Sequence, residues 1–234
     1  MSGTLYGLGV GPGDPELLTL KAYRLLRSVP VLAWPAPETG ESLARRIVAP
    51  HLVEGQTEIA IRMPLDANRF PVEAVYDRAA EEIAGHLEAG RDVAVICEGD
   101  PFFYGSFMYL FGRLSDRFRT EVVPGVSSLV ACPAAAGAPL ASRDDVLVVC
   151  PATLEEDELR ARLENAEAAA IIKIGRHFAK VRRVVEACGL AERAHYVEHA
   201  TMADQRVLAF TQIDQARAPY FSMILIHKRG EAWR

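Results

Sequence analysis

The chain has 234 residues, 50% of them hydrophobic and 24% charged, with a net charge of −5. This composition can build a sizeable core, which excludes a largely disordered state. The weak acidity excludes a global field that would draw in nucleic acid or an anionic membrane. A polyanionic ligand would have to be held by local clusters of Arg and Lys.

No run of about 18 apolar residues is present, so no transmembrane helix is expected. The opening MSGTLYGLGVGPGDPE lacks the basic and apolar regions of a signal peptide. It leads instead from a short strand into GLGVGPGD, residues 7–14. A dinucleotide fingerprint needs glycine at its first, third and sixth positions. Counted from Gly7 the sixth position is Pro12, and counted from Gly9 it is Asp14, so a Rossmann dehydrogenase is disfavoured. No GK[ST] follows, so this is not a P-loop. Asp14 can cap a helix with Pro15 in its first turn, placing Leu18, Ala22 and Leu25 on one face. A second amphipathic stripe runs through Val72, Val75, Ala79, Ile83 and Leu87 and stops at Gly90.

Residues 93–97 are a short apolar run that suits a strand buried on both faces. Directly after it stands CEGDPFFYGS, residues 97–106. In α/β sheets ligands bind beyond the carboxyl ends of strands, and here that place holds two carboxylates, Glu98 and Asp100, with Gly99 between them. The plainer alternative is a turn whose Asp caps the next helix. PGVSS, residues 124–128, again joins a strand to a helix. Leu129 stands where a GxSxG nucleophile elbow needs its second glycine, so Ser127 and Ser128 read as a cap or as donors to a ligand.

The Ala-, Pro- and Gly-rich stretch 133–145 is the expected boundary, with one domain at 1–142 and another at 143–234. Apolar runs at 146–150, 169–174 and 223–226 read as strands. Thr153 and Glu156 have capping-box spacing before a helix. Further β signal at 194–199, 206–210 and 222–227 points to a mixed second sheet. His195, Glu198 and His199 spell HxxEH, a zinc pattern only when it lies on a helix. On a strand, at about 3.3 Å per residue, the histidines stand roughly 13 Å apart, too far for one zinc with ligands at about 2 Å. No metal site is expected. The four cysteines, Cys97, Cys132, Cys150 and Cys188, form no CxxC pair. They read as reduced thiols in a cytoplasmic protein.

Taken together, these motifs resemble the tetrapyrrole methylase family. The resemblance runs in order through GLGVGPGDPELLTLKA at 7–22, GDPFFYGS at 99–106, PGVSS, IKIGR at 172–176 and ATMADQ at 200–205, and so covers nearly the whole chain. Three longer stretches resemble the branch that methylates precorrin-2 at C20 to give precorrin-3A: WPAPETGESLARRIVAP at 34–50, GDPFFYGSFMYLFGRL at 99–114 and YFSMILIHK at 220–228.

The resemblance implies two α/β domains with S-adenosylmethionine folded into the cleft between them, S-adenosylhomocysteine as its product, and a homodimer. It carries cofactor contacts onto Pro12, Glu98, Gly99, Asp100, Phe103, Ser127 and Ser128, and, in the second half, onto Ile174 and Ala200. Arg45, Arg46, Arg143 and Arg176 lie in or beside matched segments. They are the expected partners of the carboxylates of a tetrapyrrole substrate, because a guanidinium pairs them in bidentate fashion. Asp100, Glu198, His199 and Tyr220 are all candidates to take the C20 proton, with bulk water as a further acceptor, and the residues do not choose among them. Sibling methylases with other ring positions or a cobalt-containing substrate share this fold and cofactor. A sensor that binds without turnover is the non-enzymatic alternative.

Overall fold

The computed structural model describes residues 1–63, 72–213 and 218–229. The chain forms two compact units, Met1–Ser127 and Ser128–Arg234.

The first unit contains β1 (Leu5–Gly9), α1 (Leu20–Ser28), β2 (Val31–Pro37), α2 (Leu43–Val48), β3 (Thr57–Met63), α3 (Val72–Glu88), β4 (Val93–Cys97), α4 (Phe107–Leu114) and β5 (Thr120–Val123). Its sheet has the order β3-β2-β4-β1-β5, and every pair is parallel. All five strands therefore end at one edge, and the loops after β1, β4 and β5 emerge there side by side. The central strand β4 is buried at every residue, as its apolar run requires. Val75, Ala79, Ile83 and Leu87 of α3 pack on one face of the sheet with Phe107, Leu110 and Leu114 of α4. Burying each large side chain of this kind contributes roughly 1.5–3 kcal/mol. The side chain of Val72 lies outside the described residues. Gly90, at φ +77°, takes the left-handed turn that ends α3.

The helix expected from Asp14 is two pieces. The Asp14 carboxylate accepts the Glu16 N–H at 2.8 Å and caps a single 3-10 turn, Pro15–Leu17. Thr19 then caps α1 through the Ala22 N–H at 3.2 Å. This second cap shifts the buried face to Ala22 and Leu26, so Leu25 is only partly covered.

The second unit contains α5 (Ser128–Ala136), β6 (Leu147–Pro151), α6 (Glu156–Glu164), β7 (Ala168–Ile172), α7 (Phe178–Ala187), β8 (Ala194–Glu198), β9 (Arg206–Ala209) and β10 (Ser222–His227). Its sheet has the order β6-β7-β10-β8-β9. β6 and β7 are parallel and the other pairs antiparallel, the mixed sheet expected from the sequence. Phe178, Tyr196 and Phe210 centre the core on one face. On the other face Cys132 of α5 packs with Val197, Met223 and Leu225. This docking of α5 on β8 and β10 assigns it to the second unit, so the division falls at 127/128, whereas the composition shift suggests 142/143. Thr153 is not a helix cap: β6 runs on to Pro151, a turn follows, and α6 begins at Glu156 with Glu155 as its N-cap. No helix among the described residues is long and apolar enough to cross a membrane.

Candidate active site

At the carboxyl edge of the first sheet, glycines let three loops pack backbone to backbone. Gly11, at φ +83°, and Gly99, at φ +64°, form an isolated bridge. In it the Gly99 N–H reaches the Gly11 carbonyl at 2.8 Å, and the Gly11 N–H reaches the Gly99 carbonyl at 3.4 Å. Gly125 packs on Gly99 and on Gly9 at the end of β1: a Cβ there would lie 2.0 Å from the Gly99 oxygen and 2.7 Å from the Gly9 Cα. Asp100 completes the junction. One carboxylate oxygen accepts the N–H groups of Phe102 at 2.9 Å and Phe103 at 3.1 Å, and the other accepts the Gly125 N–H at 3.1 Å. Pro12 is buried beside this junction, whereas Phe103 and Tyr104 are more open and meet edge to face at 5.1 Å.

Glu98 points elsewhere. One of its oxygens accepts the Ala44 N–H at the start of α2, at 3.1 Å. Burial pushes its carboxyl above the ordinary range. Beside α2 opens a cavity of about 420 Å³ whose lining includes Trp34, Ser42, Arg45 and Arg62. Arg45 makes a bidentate pair with Glu58, both contacts at 2.9 Å, and lies over the Trp34 ring at 5.6 Å.

In the second unit β7 and β8 run in the same direction, each antiparallel to β10. Their carboxyl ends therefore share one edge. Backbone in the left-handed region, uncommon for residues other than glycine, gathers there: Lys173 at φ +56°, His199 at φ +49° and Thr201 at φ +68°. These positions flank the two residues of interest, Ile174 and Ala200, which are both buried. Tyr220 precedes β10 at the same edge and is 76% exposed.

A profile of the family "Tetrapyrrole (Corrin/Porphyrin) Methylases" matches residues 4–216. The chain belongs to the tetrapyrrole methylase family. It is 45% identical over 232 residues to "Cobalamin biosynthesis protein CobIJ" of Mycobacterium tuberculosis (strain ATCC 25618 / H37Rv), covering 96% of this chain and 46% of that protein. The chain thus spans about half the length of the CobIJ relatives. It is 43% identical over 232 residues to "Precorrin-2 C(20)-methyltransferase" of Sinorhizobium sp, covering 96% of this chain and 95% of that one. Among solved structures, cobalt precorrin-4 methyltransferase CbiF superposes with a TM-score of 0.76 at 23% identity, over 97% of this chain and 96% of that one. That likeness establishes the fold.

In this chain the structure brings Pro12, Gly99, Asp100, Phe103 and Ser127 to one edge of the first sheet. Ile174, Arg176 and Ala200 fall at one edge of the second. Arg143 does not join them: it precedes β6, at the edge opposite Ile174. That opposite edge is tied by Asp145, which accepts from Ser142 N–H at 2.7 Å, meets His227 Nε2 at 3.0 Å and pairs with Arg229 at 2.8 Å. Arg46 and Arg176 are exposed.

The candidate proton acceptors all have partners, and Tyr220 meets the Phe221 ring edge to face at 4.9 Å. Asp100 is committed to backbone N–H groups. Glu198 is 4% exposed and accepts from the Tyr196 hydroxyl at 2.5 Å and from Arg206 at 2.7 Å. His199 pairs with Asp204 at 2.6 Å. The HxxEH segment is a strand through Glu198, as its lack of a helical stripe suggests. Burial pushes the thiols of Cys97 and Cys132 up to about 12, so neither supplies a thiolate near neutral pH. Sequence reasoning did not find Ala44 or Glu58, the partners of Glu98 and Arg45. Those pairings span 54 and 13 residues and leave no local pattern.

Proposed function

We propose that this methylase transfers a methyl group from S-adenosylmethionine to C20 of precorrin-2, giving precorrin-3A and S-adenosylhomocysteine. The observation that carries the reading is the 43% identity to a precorrin-2 C(20)-methyltransferase over nearly the full length of both chains. The residues at hand fit such a donor. Pro12, Ile174 and Ala200 are buried and uncharged, and the glycine junction fixes the backbone around Gly99. The proposed cofactor contacts are Pro12, Gly99, Asp100 through its loop, Phe103 and Ser127 of the first unit. Ser128, Ile174 and Ala200 of the second join them.

Bound S-adenosylmethionine supplies an electrophilic methyl on a sulfonium. The chain therefore needs no Ser, Cys or Lys nucleophile, in keeping with its buried, high-pKa thiols. Its work is to hold and aim. Alignment of two bound reactants contributes about 7–11 kcal/mol to such a step, and rigid loops built from glycine contacts and Asp100 suit that task. Arg45, Arg46 and Arg176 are the proposed partners of the substrate carboxylates. We further propose a cytoplasmic homodimer. The support is the largely buried cysteines and the exposed apolar side chains of Phe102, Met108 and Tyr109.

Calorimetry with S-adenosylhomocysteine, followed by incubation with S-adenosylmethionine and precorrin-2, tests the reading. Saturable uptake and release of S-adenosylhomocysteine that depends on precorrin-2 are expected. Uptake without turnover would mark a sensor, and turnover with cobalt-precorrin-2 alone would redirect the substrate.

A further inference from the structure

Glu98 stands one residue before Gly99, yet its carboxylate turns away from the glycine junction. It accepts the Ala44 N–H at 3.1 Å, and Ala44 is fully buried in the first turn of α2. The same turn is fixed by Ser42, whose hydroxyl accepts the Arg45 N–H at 3.4 Å and donates to the Pro35 carbonyl at 2.7 Å. The next residue, Arg45, is gripped by Glu58 and Trp34 beside the cavity. A single side chain thus bridges the loop after β4 to the helix that carries Arg45 and Arg46.

We propose that Glu98 is a positioning residue of the methyl transfer, tying α2 and its arginines to the glycine-pinned loop after β4. It acts on the tetrapyrrole through α2 and does not grip the cofactor. This rests on the functional reading above, in which Arg45 and Arg46 meet substrate carboxylates. Glu98 is half-buried, which agrees with a group placed for a tie: holding an ionisable side chain partly out of water costs stability, whereas an exposed glutamate would cost none. A glutamine can accept the same N–H without that cost, which separates the tie from the charge.

The test compares Glu98→Ala and Glu98→Gln with the unaltered protein. Three quantities are read: Michaelis constant and kcat with precorrin-2, calorimetric affinity for S-adenosylhomocysteine, and hydrogen exchange of the segment containing Ala44. For Glu98→Ala the Michaelis constant for precorrin-2 should rise about tenfold, the effect of leaving the buried Ala44 N–H without its acceptor. Ala44 should exchange faster, and affinity for S-adenosylhomocysteine should stay within about twofold. Glu98→Gln should bring the Michaelis constant and the exchange back towards the unaltered values. Loss of S-adenosylhomocysteine affinity with an unchanged Michaelis constant would overturn the proposal, making Glu98 a cofactor contact. Glutamine as damaging as alanine would overturn it too. If the unaltered protein bound no S-adenosylhomocysteine, the functional reading would fail by itself, and unchanged exchange at Ala44 in Glu98→Ala would independently refute the tie.

Discussion

Gly125→Ala is expected to weaken S-adenosylhomocysteine binding by at least tenfold and to lower the melting temperature. The added methyl would lie 2.0 Å from the Gly99 oxygen and 2.7 Å from the Gly9 Cα. Both neighbours are backbone already fixed by pairing, Gly99 in the loop after β4 and Gly9 at the end of β1, so neither can swing aside as a side chain would. Overpacking typically costs about 1–3 kcal/mol, and about 1.4 kcal/mol is a factor of ten in binding. The strain falls on the loops after β1, β4 and β5 together. Gly112→Ala is the control. It lies on the exposed side of α4 with no atom within 4 Å of the new methyl, and helix propensity favours the change by roughly 0.5–1 kcal/mol. Thermal melts of the two variants should move in opposite directions, while affinity for S-adenosylhomocysteine should fall in Gly125→Ala and stay unchanged in Gly112→Ala.

The second large effect is expected at Asp100. Its two oxygens serve three N–H groups, those of Phe102, Phe103 and Gly125. Asn offers only one acceptor atom in place of two. Whichever way the amide turns, one side of the junction meets an NH₂ and loses its bond. A donor left unsatisfied costs about 1–3 kcal/mol. Asp100→Asn should therefore weaken S-adenosylhomocysteine binding by about tenfold, and Asp100→Ala, which releases all three donors, by more. Hydrogen exchange separates a loosened junction from a lost ligand contact: without any ligand present it should rise at all three N–H groups in Asp100→Ala, and either at Gly125 or at Phe102 and Phe103 in Asp100→Asn.

The contrast between β4 and β2 shows what the sequence displays and what it hides. β4 is five consecutive buried apolar residues, and such a run has few alternatives. β2 reads VLAWPAP, and its prolines look like loop punctuation. They fit a strand because β4 pairs with β2 only at Val31–Ala33, so Pro35 and Pro37 face β3 alone. β3 alternates, with Ile59 and Ile61 buried and Glu58 and Arg62 exposed, a short signal easily passed over. α5 has almost no amphipathic stripe, since its SLVACPAAA is apolar on every side. Its membership of the second unit is settled by packing on β8 and β10. At the site, the glycines and Asp100 stand out because turns and close approach restrict which residues fit. Arg143 looked equally plausible as a charge beside a matched segment, but the direction of β6 puts it at the opposite edge.

Methyl transfer to one carbon of a tetrapyrrole is the proposed reaction. Incubating the protein with precorrin-2 and S-adenosylmethionine labelled with ¹³C in its methyl group, then assigning the labelled methyl by NMR, tests that claim directly. One new labelled methyl bonded to C20 is predicted. Label at another ring carbon, or none incorporated while the protein is folded and the donor is bound, would contradict it.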